Sequence, residues 1–296
     1  MSLAVNIVCR NWQDDRVIPR FSRYLRDHLG WMLTARPLPG ADVYYLSGYF
    51  EWPFMKAADL MGAPTAAYFT HREEEPPGNG KARQFDEVAR RVSLRIATAA
   101  MYAGPLAECG PTAQVWPPVE RERFVPASTK GAKVVAGFSG YTYSNGRKGE
   151  DLARKLVAVG WLDVEWRASG RGWPVQTRRY TWAEMPAFYQ SLDVLVVTSL
   201  VEGVPMPALE ALACGCSLVI PRGVGLLDEL PDVAGIHRYK RGDAGDLVRV
   251  FSQAVKARPE VAAGTAGREA LRAVTEPYTV LAWCEQHRAA FEEVFC

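Results

Sequence analysis

Two hydrophobic patterns alternate along the chain: short unbroken apolar runs, and longer stretches in which apolar residues return every three or four positions. The first kind predicts strands buried in a parallel sheet, and the second predicts helices lying on it. The first half opens with a strand from Leu3 to Val8, a polar loop from Arg10 to Arg16, and a helix in which Val17, Phe21, Tyr24, Leu25 and Leu29 recur at helix spacing. Ala41 to Leu46, Thr65 to Phe69 and Leu94 to Ala99 read as further strands, with a helix from Phe85 to Val92. This alternation builds a Rossmann-like unit.

The pattern breaks between Trp116 and Lys130, where Trp116-Pro117-Pro118 and Pro126-Ala127-Ser128-Thr129 can continue neither a helix nor a central strand. A domain linker is expected there. Beyond it the alternation resumes with strands at Lys133 to Phe138, Asp163 to Ala168, Asp193 to Thr198 and Ser217 to Ile220. Helices fall at Glu150 to Val159, Ala183 to Ser191, Met206 to Ala213 and near Ala244 to Val255. The expected architecture is α/β, with two Rossmann-like doubly wound domains over residues 1–125 and 130–277 and an amphipathic terminal helix over 278–296.

Composition sets bounds without naming a substrate. The 296 residues, 48% of them hydrophobic, suffice for two domains of ordinary size. A formal net charge of +2 neither demands nor excludes a polyanionic partner. The six cysteines are scattered without a CxxC pair, which points away from a zinc knot or a disulfide framework and towards a reducing compartment. No apolar run approaches the roughly 20 residues that span a bilayer, so a soluble, cytoplasmic protein is expected.

The chemistry concentrates in Glu202-Gly203-Val204-Pro205-Met206-Pro207-Ala208-Leu209-Glu210, which follows the apolar strand around Val194. Pro207 suits a first helical turn and Gly215 suits a helix stop, so the run predicts a strand, a short loop and a helix whose N-terminus forms an anion site. Glu202 in the loop and Glu210 in the helix can then line one crevice and accept hydrogen bonds from sugar or ribose hydroxyls. Read alone, they are equally a helix N-terminal charge and a solvated surface residue. Upstream, Gly140-Tyr141-Thr142-Tyr143-Ser144-Asn145-Gly146-Arg147-Lys148-Gly149 is a loop leading into a helix, with two cations able to reach phosphate oxygens.

With these residues in view, the chain resembles the retaining GT-B glycosyltransferases of the GT4 type, whose donor domain carries a Glu-x7-Glu motif. Glu202 to Glu210 is similar to that motif, Lys148-Gly149 to the family's diphosphate lysine, and Tyr189-Gln190-Ser191-Leu192-Asp193-Val194 to the run before it. Val115-Trp116-Pro117-Pro118-Val119-Glu120 with Phe124 resembles the family's interdomain segment. The likeness runs from about Leu94 to Val255. It implies two domains facing each other across a cleft, with the terminal helix crossing back onto the first.

The resemblance implies that Glu202 contacts the donor sugar, Glu210 the ribose, and Lys148, with Arg147, the diphosphate of a UDP- or GDP-linked sugar. Gly203, Val204 and Met206 belong to the same donor-binding loop, and Tyr180 and Thr181 would cradle the base through their backbone. A family arginine stands several positions earlier, where this chain has Tyr141, and Tyr180 replaces a common glycine. His71, after the strand ending at Phe69, resembles a strand-end histidine that faces the donor sugar, which makes His71, Lys148 and Glu202 the catalytic candidates. The family's Gly-Gly loop is replaced by Asn11-Trp12-Gln13. Asn11, Trp12, Arg16 and Glu73 are therefore the acceptor-side candidates.

No Asp-x-Asp pair occurs, so neither a metal nor another cofactor is expected. The family's retention of configuration implies a front-face displacement without a side-chain nucleophile. Arg10, Arg16, Arg20, Arg23 and Arg26 cluster in the first loop and helix, offset by Asp14, Asp15 and Asp27. They are either a solvated face or contacts to an anionic acceptor such as a lipid phosphate, a phosphopolymer or hydroxymethylated DNA. Two other classes share this plan: a sugar-nucleotide epimerase, which needs acids and bases that do not assemble around His71, and a non-catalytic sugar-nucleotide- or glycan-binding module.

Overall fold

Burial on both faces turns the apolar runs into two six-stranded parallel sheets, each in its own compact unit. The computed structural model describes residues 3–55, 62–73, 80–127, 133–261 and 265–296. Ser128 to Lys130 of the expected linker lie outside them. One unit comprises Met1–Pro118 and Val280–Cys296, the other Val119–Thr279.

The first sheet contains β1 (Val5–Val8), β2 (Met32–Thr34), β3 (Val43–Leu46), β4 (Thr65–Phe69), β5 (Leu94–Ala97) and β6 (Thr112–Gln114), in the order β2-β1-β3-β4-β5-β6. Its helices are α1 (Val17–Leu29), α2 (Gly80–Arg91) and α3 (Ala100–Ala107). Helix α1 stops at Gly30, whose φ of 70° places it in the left-handed region while its N–H closes onto the Arg26 carbonyl at 3.0 Å.

The terminal helix, labelled α9 (Val280–Phe295), completes this unit's core. Its Trp283 ring lies 5.1 Å from Phe21 and 5.3 Å from Tyr68, and its Phe291 ring lies 4.6 Å from Trp31. Between them His287 is fully buried. Its Nδ1 donates to the Trp283 carbonyl at 2.9 Å, leaving Nε2 to accept from the Tyr45 hydroxyl at 2.8 Å. Burial holds the ring neutral and depresses its pKa to about 3.

The second unit contains β7 (Val134–Tyr141), β8 (Val164–Arg171), β9 (Thr177–Arg178), β10 (Val194–Val196), β11 (Ser217–Pro221) and β12 (Ile236–Tyr239), ordered β12-β11-β10-β7-β8-β9. Its helices are α4 (Glu150–Ala158), α5 (Met185–Gln190), α6 (Met206–Ala213), α7 (Ala244–Val261) and α8 (Thr265–Ala273). Phe138, stacked between Trp166 at 5.3 Å and Trp173 at 5.0 Å, anchors its core.

Val119 to Val125, counted with the first domain on sequence grounds, fall in the second unit. The Val119 N–H bonds the Tyr278 carbonyl at 2.6 Å, and the Phe124 ring packs 5.2 Å from Trp182 and 5.9 Å from Tyr189. The boundary between the units thus falls directly after Trp116-Pro117-Pro118, at the start of the expected linker.

Candidate functional site

In the second sheet, β7 and β10 are neighbours from which the chain winds away in opposite directions, and the crevice outside their carboxyl ends is where open α/β sheets take ligands. The loops after these two strands are sewn together. The Thr198 hydroxyl donates to the Lys148 carbonyl at 2.6 Å, and the Leu200 N–H to the Arg147 carbonyl at 2.8 Å. Gly149 makes this approach feasible: its φ is 68°, and a Cβ there would stand 2.0 Å from the Thr198 carbonyl oxygen. No other residue fits.

The stitching brings Lys148 against Glu202. Lys148 Nζ donates to Glu202 Oε1, which also accepts from the Ser199 hydroxyl at 2.9 Å. Their side chains are only 14% and 9% exposed, so each charge depends on the other and on its hydrogen bonds for its place in the interior. They line a recess of about 20 Å³ with Ser139, Trp173 and the α6 residues Pro207 and Ala208. Gly225 holds the Glu202 loop from behind, since a Cβ there would come within 2.2 Å of the Glu202 carbonyl oxygen. The arrangement offers a buried cation, a carboxylate and the N-terminus of α6 within one crevice.

Glu210, in the middle of α6, is 4% exposed and accepts from the Tyr189 hydroxyl at 2.8 Å. Tyr189 in turn lies 3.0 Å from the Ser139 hydroxyl. Burial, reinforced by the Glu210 charge, pushes the Tyr189 pKa well above its ordinary value, so the phenol stays a donor. Helix α6 ends as its sequence suggests, at Gly215 with φ 71°, where a Cβ would meet Arg268.

The remaining candidates of this unit are placed less uniformly. Gly203 and Met206 are buried in the α6 entry loop beside half-buried Val204, with the Met206 N–H bonded to the Val204 carbonyl at 2.8 Å. Arg147 lies over the Tyr143 ring at 4.3 Å. The Tyr180 ring packs 5.1 Å from Phe188, under Arg178. The Thr181 N–H and hydroxyl both donate to Glu184 Oε2, at 2.8 and 2.9 Å, which lowers the Glu184 pKa and commits that N–H within the chain.

In the first unit, His71 follows β4 and is half-buried. Its Nδ1 lies 3.2 Å from the Thr70 hydroxyl and its Nε2 lies 3.7 Å from the carboxylate of buried Glu73, which also pairs with Lys81 at 2.7 Å. Trp12 gives its carbonyl to Arg23 at 2.6 Å, and the Asn11 carbonyl accepts from the Asp14 N–H at 2.9 Å. Arg16 pairs with Asp14 while 69% exposed. Arg20 and Arg23 reach back to the carbonyls of Asp15 and Asp14, so much of the arginine cluster braces the first loop.

A wider cavity of about 670 Å³ opens instead beyond β1 and β2, lined by Arg10, Arg36, Pro53, Phe54 and Met55. Arg10 bonds buried Glu51 at 2.7 Å and lies over the exposed Phe54 ring. Arg36 and Phe54 in this cavity, and Ser139, Trp173 and Ser199 in the second unit, were not singled out from sequence, and Tyr189 entered only as part of the run before the motif. The position of Ser199 between the β10 strand and Glu202 carried a signal; the others depend on non-local packing.

Comparison with known proteins agrees with this fold. Residues 147–256 match the family model described as Glycosyl transferases group 1. No curated protein matches the chain by sequence. Among solved structures, HepE from Anabaena in complex with UDP-glucose superposes with a TM-score of 0.76 at 13% identity, covering 99% of this chain and 100% of that one. A glycosyltransferase from Rickettsia africae ESF-5 gives 0.71 at 10% identity over 99% and 98%. Sucrose-phosphate synthase from Thermosynechococcus elongatus gives 0.70 at 15% identity over 94% and 78%. The fold is therefore that of the GT-B glycosyltransferases, two parallel-sheet Rossmann-like domains, and the segment matched by the family model is the one that carries Lys148, Glu202 and Glu210.

Proposed function

We propose that the protein is a glycosyltransferase that moves a hexose or similar sugar from a UDP- or GDP-linked donor to a hydroxyl acceptor with retention of configuration. The observation that carries this reading is the buried Lys148–Glu202 pair at the β7/β10 crevice, with Glu210 on the adjoining helix. An incoming diphosphate offers Lys148 a new anionic partner and releases Glu202 to accept from sugar hydroxyls. The N-terminus of α6 adds its dipole on the same side. The UDP-glucose bound to HepE supports a uridine donor.

In the proposed reaction the acceptor oxygen attacks the anomeric carbon from the face that the diphosphate leaves. The acceptor proton passes to the departing phosphate oxygen, and the glycosidic C–O electron pair leaves with the diphosphate. Lys148 stabilises the charge that accumulates there, so no metal is needed. The first unit supplies the acceptor side: Arg36 and Arg10, beside the exposed Phe54 ring in the open cavity, support an anionic acceptor.

The test is incubation with a panel of nucleotide-sugars, reading nucleoside diphosphate release and the anomeric configuration of the product. Release with retention, undiminished by chelator, is expected. Interconverted sugars without diphosphate release would make the protein an epimerase, and tight binding without turnover would make it a binding module. Inverted product or a strict need for added metal would overturn the mechanism.

A further inference from the structure

Glu210 cannot choose its own direction. It projects from α6 into the interior, where one oxygen, Oε2, is held at 2.8 Å by the Tyr189 hydroxyl. With its Cα set by α6 and Oε2 held by the Tyr189 hydroxyl, the carboxylate has few orientations left, and this hydrogen bond biases the direction of the other oxygen. Tyr189 is itself immobile: it is fully buried and its ring packs 5.9 Å from Phe124 and 5.1 Å from Phe188.

The direction of the hydrogen bonds follows from chemistry. A carboxylate only accepts, so the phenol proton goes to Glu210, and the Tyr189 oxygen accepts from the Ser139 hydroxyl at 3.0 Å. Ser139 belongs to β7 and lines the same recess as Lys148 and Glu202. A one-way chain of donors thus runs from the recess to the Glu210 carboxylate.

We propose that Tyr189 is a positioning residue that aims Glu210 at the ribose hydroxyls of the donor, so that discrimination between ribose and deoxyribose nucleotides depends on the Ser139–Tyr189–Glu210 chain. The inference rests on the donor-site reading above. It assigns to Tyr189 a role in specificity, acting through Glu210 and without contact to the ligand.

The experiment compares calorimetric binding of the nucleoside diphosphate that the wild type releases, UDP or GDP, with its 2′,3′-dideoxy counterpart. Wild type is expected to favour the ribose form by about ten- to a hundredfold, the worth of a charge-assisted hydrogen bond or two. Tyr189→Phe removes only the hydroxyl and should shrink that preference about tenfold while leaving affinity for the dideoxy form unchanged. Ser139→Ala should shrink it less, in the same direction, and serves if Tyr189→Phe does not fold.

A tyrosine that merely fills space would weaken both ligands in parallel, or change only the melting temperature, and either result overturns the proposal. Glu210→Ala separates the two levels of inference. If it leaves ribose preference intact, or if wild type shows none, the donor-site reading fails. If it abolishes the preference and the hydroxyl deletions do not, only the positioning role fails.

Discussion

At the carboxyl edge of the second sheet the chain closes on itself. Gly149 lets one loop touch the next, a lysine and a glutamate neutralise each other, and the recess between them measures about 20 Å³. At the carboxyl edge of the first sheet, the corresponding loops leave a cavity of about 670 Å³ with an exposed arginine and an exposed aromatic ring. Both edges come from the same doubly wound topology. The difference teaches that this fold fixes where a ligand can sit, whereas backbone approach and side-chain pairing decide how much of the site exists before the ligand arrives.

The comparison breaks most plainly at Lys148. If the closed edge is preorganised to take a diphosphate, Lys148→Ala should lower turnover by roughly a hundredfold or more in a steady-state assay. A folded variant with full turnover would remove the closed edge from the chemistry.

A somewhat smaller effect sharpens the division of labour within that edge. Glu210→Ala should weaken binding of the free nucleoside diphosphate, whereas Glu202→Ala should spare it and weaken the complete sugar donor, each by roughly ten- to a hundredfold in calorimetry. Equal, small effects of both substitutions on both ligands would reduce the pair to structural charges.

The open edge is probed by Arg36→Ala. We expect kcat/KM for a phosphorylated acceptor to fall about tenfold, with neutral acceptors and donor hydrolysis unchanged. Parallel loss on both acceptor classes would mean that the cavity does not read charge.

An effect of another kind concerns stability. The folded state holds His287 neutral with a pKa near 3, below its ordinary 6.5, so between those values the unfolded chain binds the extra proton and stability drops as pH falls. From pH 6.5 to pH 5 this group alone should remove about 1.5 to 2 kcal/mol. His287→Gln, which can still bond Tyr45, should show a shallower decline in calorimetric melts over that interval, and an unchanged slope would exclude His287 as the source.

Much of this was legible in the linear pattern. Helices α1 and α6 fall where their apolar spacing, and for α6 also Pro207 and Gly215, indicate, because their signals are local. Strands β2, β6, β9 and β12 were missed: each is at most four residues long and owes its extended form to a neighbouring strand. At the candidate site, Lys148, Glu202 and Glu210 stand out through the resemblance to a Glu-x7-Glu donor loop, since read alone they pass for helix-terminal or surface charges. Tyr189 and Ser139 do not, since they meet Glu210 only after three separate elements have packed. The arginines of the first helix misled in the opposite way, because proximity in sequence suggested an open basic face where carbonyls of the preceding loop were the partners.

The return of α9 to the first unit has a consequence for the order in which the protein takes shape. The second unit is one continuous stretch, residues 119–279, and has all its own contacts available once that stretch has left the ribosome. The first unit emerges earlier but must wait, with Tyr45, Trp31 and Phe21 lacking the aromatic residues that later cover them. Only α9, which is synthesised after the whole of the second unit, can seal that surface. The half made first is therefore the half finished last, and through the intervening synthesis its apolar face is the part of the nascent chain most in need of a chaperone.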